Sequence, residues 1–297
     1  MNAIAAPMGL VRRLGASLAA LPVRDAIIGL GGAHAKGEAD ALSDLEFYVF
    51  GPDLPPVTRL RDTLAALLPD LSGLKTWSGS GEAGIDFTLD GLLVEIWFRD
   101  SGAVRAAVEA ALQGGFDKQD RLWTPNGFYP STVLADLTGM DILSCADPGF
   151  LRLLERIAVY PEPLRQKVFA AGLAAQDFWQ GNMHLETALA RADAYYLQSI
   201  HHQVRNGLIQ SAFALNGRYF GGDKKMERAL AGLARLPAGF VAAILPEHSP
   251  RNGADWRDAF AALFAAGEGL RRLGLLDGDA PDGNGNASPR CQPPARE

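Results

Sequence analysis

Apolar positions recur along this chain at two periods, and the change from one to the other sets its organisation. Leu10, Val11, Leu14, Leu18 and Leu21 fall at helical spacing, so a helix is predicted over 8–21. Ala26 to Leu30 is a short apolar run that reads as a buried strand. Positions 31–42 are polar and rich in Gly and Ala, a loop, and a second strand follows over 44–50, ended by Gly51-Pro52. Val57, Leu60, Leu64, Leu67 and Leu68 share one helical face between Pro56 and Leu68, and Pro69 closes that helix.

Asp90-Gly91 then separates two alternating apolar runs, the strongest short hairpin signal a sequence offers. A two-residue turn there pairs Leu89 with Leu92, Thr88 with Leu93, Phe87 with Val94, and Asp86 with Glu95. Directly opposed acids destabilise a bare hairpin, so Asp86 either turns to solvent or shares a stabilising partner with Glu95. A helix over 101–112 ends at Gly114-Gly115. The stretch 116–135 is loop-rich, with Trp123, Phe128 and Tyr129 as packing or cleft-lining aromatics. Asp147-Pro148 caps a new helix, which puts a domain boundary near 140–148. Beyond it the pattern is wholly helical, over 148–159, 161–179, 183–215, 223–235, 237–245 and 254–273, as in a bundle. From Asp277 the chain is rich in Gly, Pro and polar residues and is expected to be a disordered tail.

Composition narrows the class. Of 297 residues 48% are hydrophobic and 21% charged, enough apolar material for a globular core. No apolar run reaches the length of a membrane span, and the N-terminus lacks a signal-peptide pattern. Two cysteines, Cys145 and Cys291, make no disulfide framework, so a reduced, cytoplasmic protein is expected. The net charge of −6 argues against nucleic acid as a partner and leaves the oligomeric state open. His184, His201 and His202 do not form an i, i+4 metal pair, so no zinc site is predicted.

Candidate chemistry lies in the first two strands. Asp44 and Glu46 alternate with Leu45, Phe47 and Val49, so both acids project from one face, about 7 Å apart. Two carboxylates on an apolar strand repel each other unless a cation stands between them, and Mg²⁺ takes one or two carboxylates together with phosphates. Upstream, Gly31-Gly32 offers backbone N–H groups that a phosphate can approach closely. An edge strand with one wet face would carry the same acids without any ligand.

The glycine pair, the ten residues after it and Ser43-Asp44-Leu45-Glu46 resemble the motif of the DNA polymerase β superfamily of nucleotidyltransferases. The pattern looks closest to the aminoglycoside and lincosamide nucleotidyltransferases and their two-domain bacterial relatives. The resemblance implies an α+β fold: a small mixed β-sheet domain with helices packed on it over 1–143, then an all-α helical bundle over 144–276, with 277–297 as the tail. It implies that Asp44 and Glu46 hold Mg²⁺, and that Gly31, Gly32 and Ser43 form the phosphate turn of an NTP site, ATP above all. Gly32 stands where Ser is commoner. Glu95 matches the third acid, a metal ligand or general base, with Asp86 as the alternative.

Arg99, four residues beyond Glu95, either reaches phosphate or pairs with Asp100 at the surface. In the helical part Asp223 is expected to cap a helix and place Lys224 and Lys225 in its first turn. Cations there oppose the helix dipole unless an anion is bound. Lys224, or Lys225 by one residue, matches a lysine that contacts the triphosphate in relatives. The implied activity is transfer of a nucleoside monophosphate to a hydroxyl of a small-molecule acceptor, in a cleft between the domains. Antibiotics are what the best-known relatives modify. The alternatives are a non-catalytic nucleotide-binding or regulatory module, and transfer to a protein or an RNA end.

Overall fold

The computed structural model describes residues 7–79 and 81–275, Pro130 by its backbone alone; Cys291 and the tail from 277 lie outside the described residues. In chain order the elements are α1 (Met8–Ala19), β1 (Ile27–Leu30), α2 (Gly32–Ala35), β2 (Leu45–Gly51), α3 (Val57–Leu67), β3 (Ser72–Gly79), β4 (Glu82–Leu89), β5 (Leu92–Asp100) and α4 (Ser101–Leu112). There follow β6 (Gln119–Arg121), β7 (Thr124–Phe128), α5 (Pro130–Gly139), β8 (Asp141–Cys145) and α6 (Pro148–Ile157). The remainder is helical: α7 (Glu162–Trp179), α8 (Met183–Arg191), α9 (Ala194–Leu215), α10 (Met226–Ala231), α11 (Phe240–Ile244) and α12 (Gly253–Leu275). Among the described residues no helix is long and apolar enough to cross a membrane.

The chain divides into two compact units that are not two consecutive stretches. Among the described residues, the first holds those up to Glu109 together with Val133–Val159, and the second holds Ala110–Thr132 and those from Tyr160 onward. This partition is finer than a single boundary at 140–148. That zone is occupied by β8, which joins the sheet by pairing antiparallel with β1.

The first unit is built on a mixed six-stranded sheet in the order β3-β4-β5-β2-β1-β8. β2 and β5 run parallel, and the other neighbours are antiparallel. Alternation divides the side chains of each strand between two faces. Ile28 and Leu30, Leu45, Phe47 and Val49, Ile85, Phe87 and Leu89, and Val94, Ile96 and Phe98 form one apolar face. Leu10, Val11, Leu14 and Leu18 of α1 and Leu60 and Leu64 of α3 seal it. The heptad-like stripes of both helices are thereby explained: each has one buried face and one wet face. The opposite face carries Glu46, Tyr48, Glu95, Trp97, Arg99, Asp86 and Glu82, and α6 meets it where Phe150 packs on Phe50, ring centroids 5.1 Å apart.

The hairpin register is the one the Asp90-Gly91 turn dictates, with Asp86 opposite Glu95 and Leu89 opposite Leu92. Several elements depart from expectation. The loop 31–42 contains the one-turn α2, and strand β3 extends the sheet where no strand was expected. The loop-rich 116–135 holds the β6–β7 hairpin and the start of α5. The helix expected over 183–215 is two helices. Ala192 adopts a left-handed conformation (φ 51°) and the Asp193 side chain accepts the Tyr196 N–H, ending α8 and starting α9. The second unit packs Trp179, Leu197, Ile200, Val204, Leu208, Trp256, Phe260 and Leu263 into a core of its own.

Candidate active site on the acidic face of the sheet

Pairing of β5 with β2 on one side and β4 on the other sets three carboxylates in a row across the sheet. Glu46 stands beside Glu95, and Glu95 beside Asp86, with neighbouring strands roughly 4.8 Å apart. Lys75 of β3 ends the row opposite Asp86. Asp86, the alternative third acid, accepts a hydrogen bond from the Trp77 indole N–H at 3.1 Å. Asp44 lies just before β2, half-buried. Ser43 is engaged locally: its hydroxyl donates to the Asp40 carboxylate at 3.1 Å and accepts the Asp40 N–H at 2.9 Å.

Glu46 is the electrostatic centre of the group. Burial pushes its carboxyl up to about 7, and Asp136, Glu95 and Asp44 add to the rise, while a hydrogen bond from the Tyr48 hydroxyl opposes it. Glu46 is thus a largely buried carboxylate with Glu95 and Asp44 nearby, while Asp136 is paired with Arg99, and a cation would relieve the ionised form of Glu46. Among the described residues no group of three His, Cys, Asp or Glu side chains is arranged to hold a metal ion by itself. Any such ion would take part of its coordination from elsewhere.

The glycine pair does less for an incoming phosphate than its composition suggests. The Gly31 N–H continues the ladder and donates to the Glu46 carbonyl at 2.7 Å. A side chain on Gly31 would run into the Tyr48 ring, so the space expected to be open beside it is filled on that side. Gly32 has φ +61°, and a Cβ there would come within 2.5 Å of Glu46 Oε2. Both glycines are needed because Glu46 and Tyr48 crowd the turn. Only the amides from Gly32 onward are outside that ladder bond.

Arg99 does not pair with Asp100 at the surface. It is 5% exposed, and its guanidinium bonds Glu82 at 2.6 Å and Asp136 at 3.0 Å. It also lies 4.7 Å over the Tyr48 ring and 5.2 Å from that of Trp97. A guanidinium held by two carboxylates has little left for a phosphate. Lys224 and Lys225 lie in the second unit, and neither sits in the first turn of a helix. Lys225 is the N-cap of the six-residue α10 in a left-handed conformation, and Asp223 caps nothing there, because it accepts the Asn126 N–H at 3.2 Å.

No family model matches the chain, and no curated protein does. A nucleotidyltransferase-like protein from Exiguobacterium sibiricum 255-15 is similar in structure at a TM-score of 0.42 and 12% identity, over 90% of this chain and 75% of that one. Overlap of that degree is too low to carry family or function.

Two residues at the site were not anticipated. Asp136 comes from α5, an element hidden in a segment without clear periodicity, and it joins Glu46 only through the tertiary fold. His34 sits in α2, with its pKa lowered by burial while Asp44 and the Ser43 backbone raise it. Its place three residues after Gly31, inside the motif, was the one available signal.

Proposed function

We propose that the acidic face of the sheet is the active site of a nucleotidyltransferase. The observation that carries this reading is the row of Glu46, Glu95 and Asp86 across neighbouring strands, with Asp44 just before β2; burial first, then Asp136, Glu95 and Asp44, raise the Glu46 carboxyl to about 7. The donor set suits Mg²⁺, whose preference is for oxygen ligands completed by water and phosphate. Asp44 and Glu46 would hold it, with Glu95 beside them. Bound there, the ion would neutralise charge on the triphosphate of an NTP.

The remaining roles belong to the chain. The acceptor hydroxyl gives its proton to Glu95 as its oxygen attacks the α-phosphorus. A bond from that oxygen to phosphorus forms, the bond from the α-phosphorus to the bridging oxygen breaks, and pyrophosphate leaves. Gly32 and the amides after it would meet phosphate, with Ser43 holding the turn. ATP and a small hydroxylated acceptor are the proposed substrates.

The decisive variant is Asp44→Asn, since Asp44 is half-buried and outside the sheet ladder. It should lower pyrophosphate release at least about a hundredfold while leaving the thermal midpoint unchanged. Equal turnover by variant and parent would refute the assignment.

A second reading rests on Tyr48, whose hydroxyl binds Glu46 and whose ring crowds Gly31. A nucleotide-binding module without transfer activity would tolerate both. Heat of ATP–Mg²⁺ binding in calorimetry, with no pyrophosphate from any hydroxylated acceptor or candidate protein, would favour this second reading.

A further inference from the structure

A separate site is built into the helical unit. Gly172 of α7 and Gly207 of α9 meet backbone to backbone, because a Cβ on either would collide with the other's carbonyl. That close crossing, with Ala171, Ala174 and Ala175 alongside, leaves a groove of about 460 Å³ between the helices. The volume suits a small molecule rather than a macromolecule. Tyr129, Phe178 and Trp179 supply aromatic walls. Tyr129 is fixed by stacking on Phe116 at 4.8 Å, and the Trp179 indole N–H is fixed on Gln203 at 3.0 Å.

Lys118, His202, Gln203 and Asn206 are polar side chains lining it, and the Gln203 side-chain carbonyl is taken by the Trp179 indole. Asn206 spends its amide on the Asn126 carbonyl at 2.9 Å and the Tyr129 hydroxyl at 3.4 Å. Arg205 lies 3.3 Å from His202 Nδ1. Arginine only donates, so Nδ1 accepts, and Nε2 of a neutral His202 carries the hydrogen and can donate in turn. Among the described residues Arg205 meets no carboxylate, and burial holds its pKa below the ordinary value. The charges acting on His202 are Arg205, Lys118 and Asp223, two positive and one negative. Lys118 is the cation in the groove lining, and Arg205 reaches the groove through its contact with His202.

We propose that this groove binds a small organic monoanion with an aromatic body, its ring between the alanines and the aromatic walls and its anionic group toward Arg205, Lys118 and His202. The site is independent of the chemistry at Glu46. Its test is calorimetric titration of the full chain with naphthoate and with its neutral counterpart naphthamide. Naphthoate should bind at least about tenfold more tightly, the worth of one charge-assisted contact. Arg205→Gln should bring the two ligands within about twofold of each other. Ala174→Phe, at an exposed position of α7, should fill the groove and abolish binding of both with the fold intact; if it unfolds, Ala171→Phe takes its place. No binding of naphthoate at millimolar concentration would overturn the proposal. So would equal affinity for the two ligands, an unchanged preference in Arg205→Gln, or unchanged binding in the phenylalanine variant.

Discussion

Two arginines of this chain, one in each unit, meet opposite fates. Arg99 in the sheet unit is buried and satisfied, with Glu82 and Asp136 on its guanidinium and two aromatic rings against its faces. Arg205 in the helical unit is half-buried, its guanidinium faces only an imidazole, and no carboxylate comes to it among the described residues. A desolvated charge that is fully paired is part of the framework, since removing it would strand its partners. A desolvated charge left short of a counter-ion is a standing preference for a ligand of the opposite sign. Glu46 is the negative counterpart of Arg205: it too carries a charge that its surroundings oppose rather than compensate.

This contrast predicts unequal consequences for changes that look alike on paper. Arg99→Gln should destabilise the fold by about 3–5 kcal/mol in urea unfolding, because Glu82 and Asp136 are left buried without their cation. A loss well under 1 kcal/mol would mean that Arg99 is no more structural than Arg205.

The next effect is the pH dependence set by Glu46. In the unfolded chain its carboxyl titrates at the ordinary value of 4.5, and in the folded protein at about 7. Below both values it is protonated in either state, and its contribution costs the fold nothing. As pH rises through this window the unfolded chain gives up its proton first, so stability falls, by up to about 3 kcal/mol, and levels off above 7. Glu46→Gln should remove that fall, which urea unfolding at pH 5 and pH 8 reads directly. A parent and variant with parallel profiles would place Glu46 in an ordinary, solvated setting. Smallest of all, Arg205→Gln should change stability by no more than about 0.5 kcal/mol in either direction while altering which ligands bind. A loss as large as that of Arg99→Gln would dissolve the distinction.

Much of the sheet unit was legible because its signals are local. The Asp90-Gly91 turn fixes which residues of β4 and β5 face each other, so the Asp86–Glu95 opposition follows from the turn alone. Alternation along β2 likewise separates Glu46 and Tyr48 from Leu45, Phe47 and Val49. The surface alternative for Arg99 fails because a charged residue next to Asp100 at a strand end looks solvated in sequence, while its partners come from 17 and 37 residues away. β8 and α5 were missed for the same reason: a short, half-exposed strand and a helix without a clear stripe become regular only against the rest of the sheet unit.

The amino-acid sequence by itself determined the two periodicities, the hairpin register and the acids of β2 and β5, since each depends on residues a few positions apart. Tertiary structure alone decided that β5 runs parallel beside β2 and sets Glu95 next to Glu46, and that Asp136 arrives to oppose Glu46 and hold Arg99. It also decided that Tyr48 occupies the glycine turn. The reason is physical: a parallel pair is joined through a long crossover, and a buried charge is defined by groups distant along the chain, so neither leaves a mark in local spacing.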